Sequence, residues 1–138
     1  MINRYLNAIT SRVSHHSRIG AEDVKELQRK VFMHGLNCRN DVELLAALDR
    51  HVSTADPQWA KFFVRSVVEF VVWTSRPTGY VNQETARWLV SVLMPGGIAT
   101  VNAHRVVLEI VREAQQVDEA LLRMPRNATR AAAVQHVA

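Results

Sequence analysis

The stretch Asp56-Pro57-Gln58-Trp59-Ala60-Lys61-Phe62-Phe63-Val64-Arg65-Ser66-Val67-Val68-Glu69-Phe70-Val71-Val72-Trp73 decides the fold class. Asp56 offers an N-cap acceptor and Pro57 suits the first helical position, where its missing N–H costs nothing. Trp59, Phe62, Phe63, Val67, Phe70 and Trp73 follow at helical spacing. Val64, Val68, Val71 and Val72 make the other flank apolar too, leaving only Lys61, Arg65 and Glu69 as a polar strip. A helix that is apolar nearly all round is buried nearly all round. The expectation is therefore a single all-α bundle of six to seven short helices around this central helix, with Trp59 and Trp73 both in the core.

Outward from this segment the same periodicity continues, and no run alternates at period two. Ile2, Tyr5, Leu6, Ile9 and Val13 predict a first amphipathic helix. Val24, Leu27, Val31 and Phe32 predict a second, with Glu22 and Asp23 in its first turn, where carboxylates favour the helix dipole. Val42, Leu45, Leu48 and Val52 give a third. Beyond the turn Arg76-Pro77-Thr78-Gly79, Asn82 can cap a fifth helix carrying Ala86, Leu89, Val90 and Leu93. Pro95-Gly96-Gly97 breaks it. Ala103, Val106, Val107, Ile110 and Val111 mark the packing side of a sixth, and a short seventh starts near Asp118 with Leu121 and Leu122. One domain spanning 1–138 is expected: a basic terminal helix 1–16, a body 17–122 and an Ala-rich tail 123–138. By area scaling, a chain of 138 residues buries roughly two thirds of its extended surface, enough for a core without staples.

The starts of the helices repeat. Gly35 is followed by Val42 and Leu45, Gly79 by Ala86 and Leu89, and Gly96 by Ala103 and Val106. In each case the first inward residue lies seven after the glycine and the next lies three later. Ser17, with Val24 and Leu27, is a fourth copy lacking the glycine. The physical reading is a tight turn at positive φ, then a helix whose inward residues are fixed in register. The same pattern forms the second half of an EF-hand loop, which needs oxygen ligands at loop positions one, three, five and twelve. Those positions hold Lys30, Phe32, His34 and Asp41 in one copy and Thr74, Arg76, Thr78 and Thr85 in the next. In the last they hold Ser91, Leu93, Pro95 and Asn102. No copy keeps the calcium ligand set, so the turns are degenerate EF-hand-like helix-entry turns and no metal or cofactor is expected.

Several of these segments carry a likeness. Asp56-Pro57-Gln58-Trp59-Ala60-Lys61-Phe62-Phe63-Val64, Arg76-Pro77-Thr78-Gly79-Tyr80-Val81-Asn82 and Ala86-Arg87-Trp88-Leu89 are three of them. Gly96-Gly97-Ile98 and Val107-Leu108-Glu109-Ile110-Val111-Arg112-Glu113-Ala114 are two more. Together they resemble a family of uncharacterised, chiefly alphaproteobacterial all-helical proteins. The resemblance covers residues 17–122, with 56–114 its most specific part, and is more distantly similar to the TerB-like domains of tellurite resistance. It implies a helical fold and no particular activity. TerB-like domains are associated with acidic, metal-linked positions, whereas here the residue before the glycine is His34, Thr78 or Pro95.

The formal charge of +4 is a property of the chain ends. Residues 1–18 carry Arg4, Arg12 and Arg18 with no acid, residues 120–138 carry Arg123, Arg126 and Arg130 with none, and the interior is slightly acidic. Basic ends can attract phosphates, although three arginines in so long a segment make a dilute patch. Arg87 and Trp88, on the helix after the Gly79 turn, suggest a second nucleic-acid surface of helix-turn-helix type, with Gln83 and Glu84 beside them. Glu84 opposes phosphate there.

The single Cys38 excludes an internal disulfide and any multi-cysteine zinc site. It lies at the start of a helix, where a dipole can activate a thiol or a small residue can simply cap. Six histidines include no His-Glu-x-x-His pair, His51 and Asp56 could meet at the end of the third helix, and Asp41 and Asp49 share a helix face without a third carboxylate. No glycine-rich phosphate loop, membrane span or secretory leader is present, which points to a cytoplasmic protein with a reduced thiol. The expected role is a non-enzymatic interaction or accessory module with an unidentified protein partner, with a homodimer open as one form of it. The alternative is a nucleic-acid-associated protein using the basic ends or the Arg87/Trp88 helix.

Overall fold

The computed structural model describes residues 4–123, and among these it is an all-α bundle of seven α-helices joined by turns and four two-residue strands. In chain order the elements are α1 (Arg4–His16), β1 (Arg18–Ile19), α2 (Ala21–Glu26), α3 (Arg39–His51), β2 (Thr54–Ala55) and α4 (Pro57–Val68). Then come β3 (Tyr80–Val81), α5 (Gln83–Leu93), α6 (Val101–Glu113), β4 (Gln116–Val117) and α7 (Glu119–Leu122). Wider π-helical turns extend α2 through Leu27–Val31 and α4 through Glu69–Thr74. The chain divides into two compact units, one ending at Ser66 and the other starting at Val67.

In the first unit β1 lies parallel to β2, with Arg18 opposite Thr54 and Ile19 opposite Ala55. The Ser17 carbonyl accepts from the N–H groups of Ser53 (2.9 Å) and Thr54 (3.2 Å), and the Ile19 carbonyl accepts from Asp56 (2.9 Å). In the second unit β3 lies parallel to β4, with Tyr80 opposite Gln116 and Val81 opposite Val117. There the Gly79 carbonyl accepts from Gln115 (2.8 Å) and Gln116 (3.2 Å), and the Val81 carbonyl accepts from Asp118 (2.9 Å). Every one of these bonds in the first unit recurs in the second at an offset of 62 residues, Ser17 answering to Gly79 and Ser53 to Gln115. The caps follow the same rule. The Asp56 carboxylate accepts from Gln58 N–H (2.9 Å), and Asp118 accepts from Ala120 N–H (3.0 Å). The chain is a backbone motif built twice.

The turns that open the helices have the backbone that the spacing predicts. Ser17, Gly35, Gly79, Gly96 and Gly97 all have positive φ. At Gly79 (φ 83°) a Cβ would be strained by the backbone conformation, and it would rest in van der Waals contact with the Gln115 side chain. The inward pairs Val24 and Leu27, Val42 and Leu45, Ala86 and Leu89, Ala103 and Val106 are all buried. In three copies the first inward residue is four beyond the N-cap: Gly20, Cys38 and Asn82. In the last, Ala103 is only three beyond Thr100, because Gly96 and Gly97 both turn left-handed and the turn holds one more residue.

Three inward assignments are corrected, one of them Leu122, which is exposed on α7 beside the buried Leu121. Trp73 is not a core residue. It is 43% exposed, and its indole N–H donates to Glu113 Oε1 at 3.0 Å. The cause is the π-helical turn Glu69–Thr74, where Ser75 N–H reaches back five residues to the Phe70 carbonyl. Underwinding keeps Val67, Val68, Val71 and Val72 facing inward and leaves Trp73 outside that face. Val111 is likewise exposed, because the inner side of α6 is centred on Ala103, Val106, Val107 and Ile110. The rest of α4 behaves as expected: Trp59, Phe62 and Phe63 are buried while Lys61, Arg65 and Glu69 are exposed.

Candidate interaction surface

Arginines near the chain ends are partly neutralised. Arg12, on the outer side of α1, is within 2.6 Å of Asp23 and 3.7 Å of Glu26, so two carboxylates of α2 face one guanidinium. Asp23 also accepts from Gly20 N–H (3.0 Å), which anchors this pair to the start of α2. Arg123 lies 3.0 Å from Glu119, one turn earlier. Arg4 opens α1. Arg126 and Arg130 lie outside the described residues, as does the tail beyond Arg123. Exposed ion pairs of this kind contribute little stability, yet they reduce the charge that either end presents to phosphate.

Arg87 is exposed on α5 and Trp88 beside it is half-buried, with its carbonyl accepting from Ser91 Oγ (2.6 Å). Eight residues, 75–82, separate the helical turn ending at Thr74 from α5, and part of that connection is the paired strand β3. A helix-turn-helix joins its helices by three or four residues, so this connection does not have that geometry.

Other chemical candidates also resolve. Cys38 is exposed at the N-cap of α3 and makes no side-chain cap bond. His51 ends α3, whereas Asp56 is engaged in capping α4, and the two do not bond. Asp41 accepts from the backbone N–H of Asn37 (2.8 Å). Asp49, by contrast, is buried and accepts from the Trp59 indole N–H at 2.9 Å. Sequence spacing puts Asp49 on a face with Asp41 but gives no sign of this bond, which joins side chains ten residues apart on two helices. Among the described residues no group of three His, Cys, Asp or Glu side chains could hold a metal, and no helix is long and apolar enough to cross a membrane. A shallow hollow of about 290 Å³ beside β3 and β4 is lined by Tyr80, Val81, Asn82, Gln83, Gln116 and Asp118. The Asn82 and Asp118 side chains there are committed to capping their own helices.

What stands out is the outer side of α6. Val101, Leu108 and Val111 are spaced seven and three residues apart, which places them on one stripe of the helix. Leu108 is 51% exposed, Val101 and Val111 are exposed beside it, and Ile98 (53%) extends the apolar run just before the helix. Thus α6 carries open apolar residues on its outer side in addition to its buried apolar side. Sequence reading misses this because it assigns Val111 to the inner side and Leu108 to none. The signal lies in the second set of apolar residues at helical spacing.

Comparison with protein-family models, curated proteins and solved structures gives no match. The class of protein therefore rests on its own architecture: an all-α bundle of two units with one repeated backbone motif.

Proposed function

We propose that the protein is a non-enzymatic interaction module, cytoplasmic and with the helical fold that the resemblance to TerB-like bacterial domains implies, which docks a protein partner on the outer side of α6. The observation that supports this is the open stripe Val101, Leu108 and Val111, with Ile98 next to it. Apolar side chains scattered singly over a surface need no explanation, but a contiguous set on one helix face marks an interaction site. The ion pairs of Arg12 and Arg123 weigh against the nucleic-acid alternative.

The test is capture from the native cytoplasm at about 50 and 200 mM salt, using wild type and Leu108→Asp. A protein retained at both salt concentrations by wild type and lost by the variant supports the module. In parallel, fluorescent duplex DNA is titrated with wild type, with Arg87→Gln, and with a variant carrying glutamine at Arg4, Arg12, Arg123, Arg126 and Arg130. Binding through a few end arginines falls steeply across that salt range, because each neutralised phosphate releases counterions. Tight DNA binding that survives 200 mM salt and disappears with Arg87→Gln would overturn the module in favour of a nucleic-acid protein.

A further inference from the structure

Resting on that reading, we infer that the partner element is an acidic amphipathic helix whose aliphatic or aromatic residues cover Leu108 and Val111 while its carboxylates meet Arg105 and Arg112. Two independent observations carry this. The first is the internal repeat. In the register of the inward residues, where Val42, Leu45 and Asp49 answer to Ala103, Val106 and Ile110, the open residues Val101, Leu108 and Val111 answer to Asn40, Ala47 and Arg50, all of them exposed. The first unit thus keeps this outer side small or polar, as a helix side facing water is, and the second makes the same side apolar.

The second observation is charge. Arg105 and Arg112 are seven residues apart on one row of α6, beside Leu108 along one edge of the apolar stripe, and both are exposed. The carboxylate facing them is Glu109, half-exposed and 3.2 Å from Arg112. Positive charge bordering an apolar stripe selects a helix with the opposite border and rejects one with the same. A second copy of this chain is disfavoured on that ground. A two-fold pairing through α6 would bring two Arg105 and two Arg112 side chains into one interface. From Val101 to Val111 the stripe runs about 15 Å, which three to four turns of a partner helix span.

The probe is a synthetic helical peptide of about 14 residues with Leu or Trp at inward positions and Glu on both borders. Its companion is identical except for Lys in place of every Glu. Both are titrated by fluorescence anisotropy into full-length protein at about 50 and 200 mM salt. The acidic peptide should bind at least about tenfold more tightly than the basic one, and the preference should narrow at higher salt. Leu108→Asp should weaken the acidic peptide by about tenfold or more with an unchanged circular dichroism spectrum. Arg105→Glu with Arg112→Glu should invert the preference, an outcome that mere loss of folding could not produce. Equal binding of the two peptides, abolished by Leu108→Asp, would overturn the acidic-partner inference and leave the docking face standing. A dimer in sedimentation that Leu108→Asp dissociates, with neither peptide bound, would replace the partner helix by a second copy. A monomer that binds neither peptide would overturn the inference outright.

Discussion

In the first unit the Ser17 carbonyl gathers two amide protons and the Ile19 carbonyl a third; in the second, Gly79 and Val81 do the same with the same spacing. The side chains set on these matching backbones differ in kind. The first unit holds an aromatic cluster, with Trp59 and Phe63 stacked at 5.6 Å, Trp59 6.0 Å from Phe62, and Phe62 6.3 Å from Phe32. It also holds the buried Asp49. The second is aliphatic at the matching places, with Leu121 for Trp59 and, in the register of the inward residues, Ile110 for Asp49. It has no ring pair among its described residues. Backbone bonds at the turns are therefore compatible with two quite different fillings. The outer sides differ as well: the first unit sets Asn40, Ala47 and Arg50 where the second sets Val101, Leu108 and Val111, so only α6 keeps an apolar side in water.

The largest expected effect breaks the aromatic filling. Phe63→Ala should cost about 3–5 kcal/mol, the range for truncating a buried aromatic, while Leu89→Ala in the second unit should cost about 2–5 kcal/mol. Chemical denaturation of the full chain measures both. A loss at Phe63 below that at Leu89 would mean that the ring cluster is not the dominant packing of its unit.

Next comes the polar bond inside that cluster. Trp59→Phe keeps a ring but removes the indole donor from the buried Asp49, and should cost about 1–3 kcal/mol. Asp49→Asn should cost less, because an amide oxygen can still accept from Trp59. If the two variants are equally destabilised, the charge of Asp49 matters more than its geometry.

A smaller effect separates the paired turns whose carbonyls accept the strand bonds. Gly79→Ala places a Cβ at φ 83° against Gln115 and should cost about 1–2 kcal/mol. At the matching position Ser17 already has a Cβ at φ 53°. Ser17→Gly should therefore change stability by less than about 1 kcal/mol, since relieved strain and added chain entropy oppose each other. Comparable losses at both sites would mean that the two turns are not equivalent.

The smallest effects are on the surface. Lys61→Ala, on the polar strip of α4, and Leu108→Asp, on the open side of α6, should each change stability by less than about 0.5 kcal/mol. A large loss at Leu108 would show that its face is packed in the free protein and not available for docking.

Helix spans and inward registers were legible because each is a local pattern: a turn residue, then apolar side chains seven and ten positions on. The pairing of these turns into two units was not. Strands of two residues are too short to alternate, and the bonds from Ser17 to Ser53 join positions 36 residues apart. Trp73 misled because a π-helical turn changes the helical phase without any proline or glycine to announce it. Arg12 looked free in a segment without acids, yet its carboxylates come from the next helix. The open side of α6 fell between these cases, visible as a second apolar stripe but hidden by assigning Val111 inward.

The parallel strand pairs also set a kinetic symmetry. Each closes a loop of 36 residues, Ser17 to Ser53 in one half and Gly79 to Gln115 in the other. The entropy of closing such a loop grows only with the logarithm of its length, about 3 kcal/mol here plus a constant, and is the same for both halves. Any difference in how fast the halves form then has to come from their side chains. An indole and three phenyl rings collapse around one closure, and leucines and valines around the other.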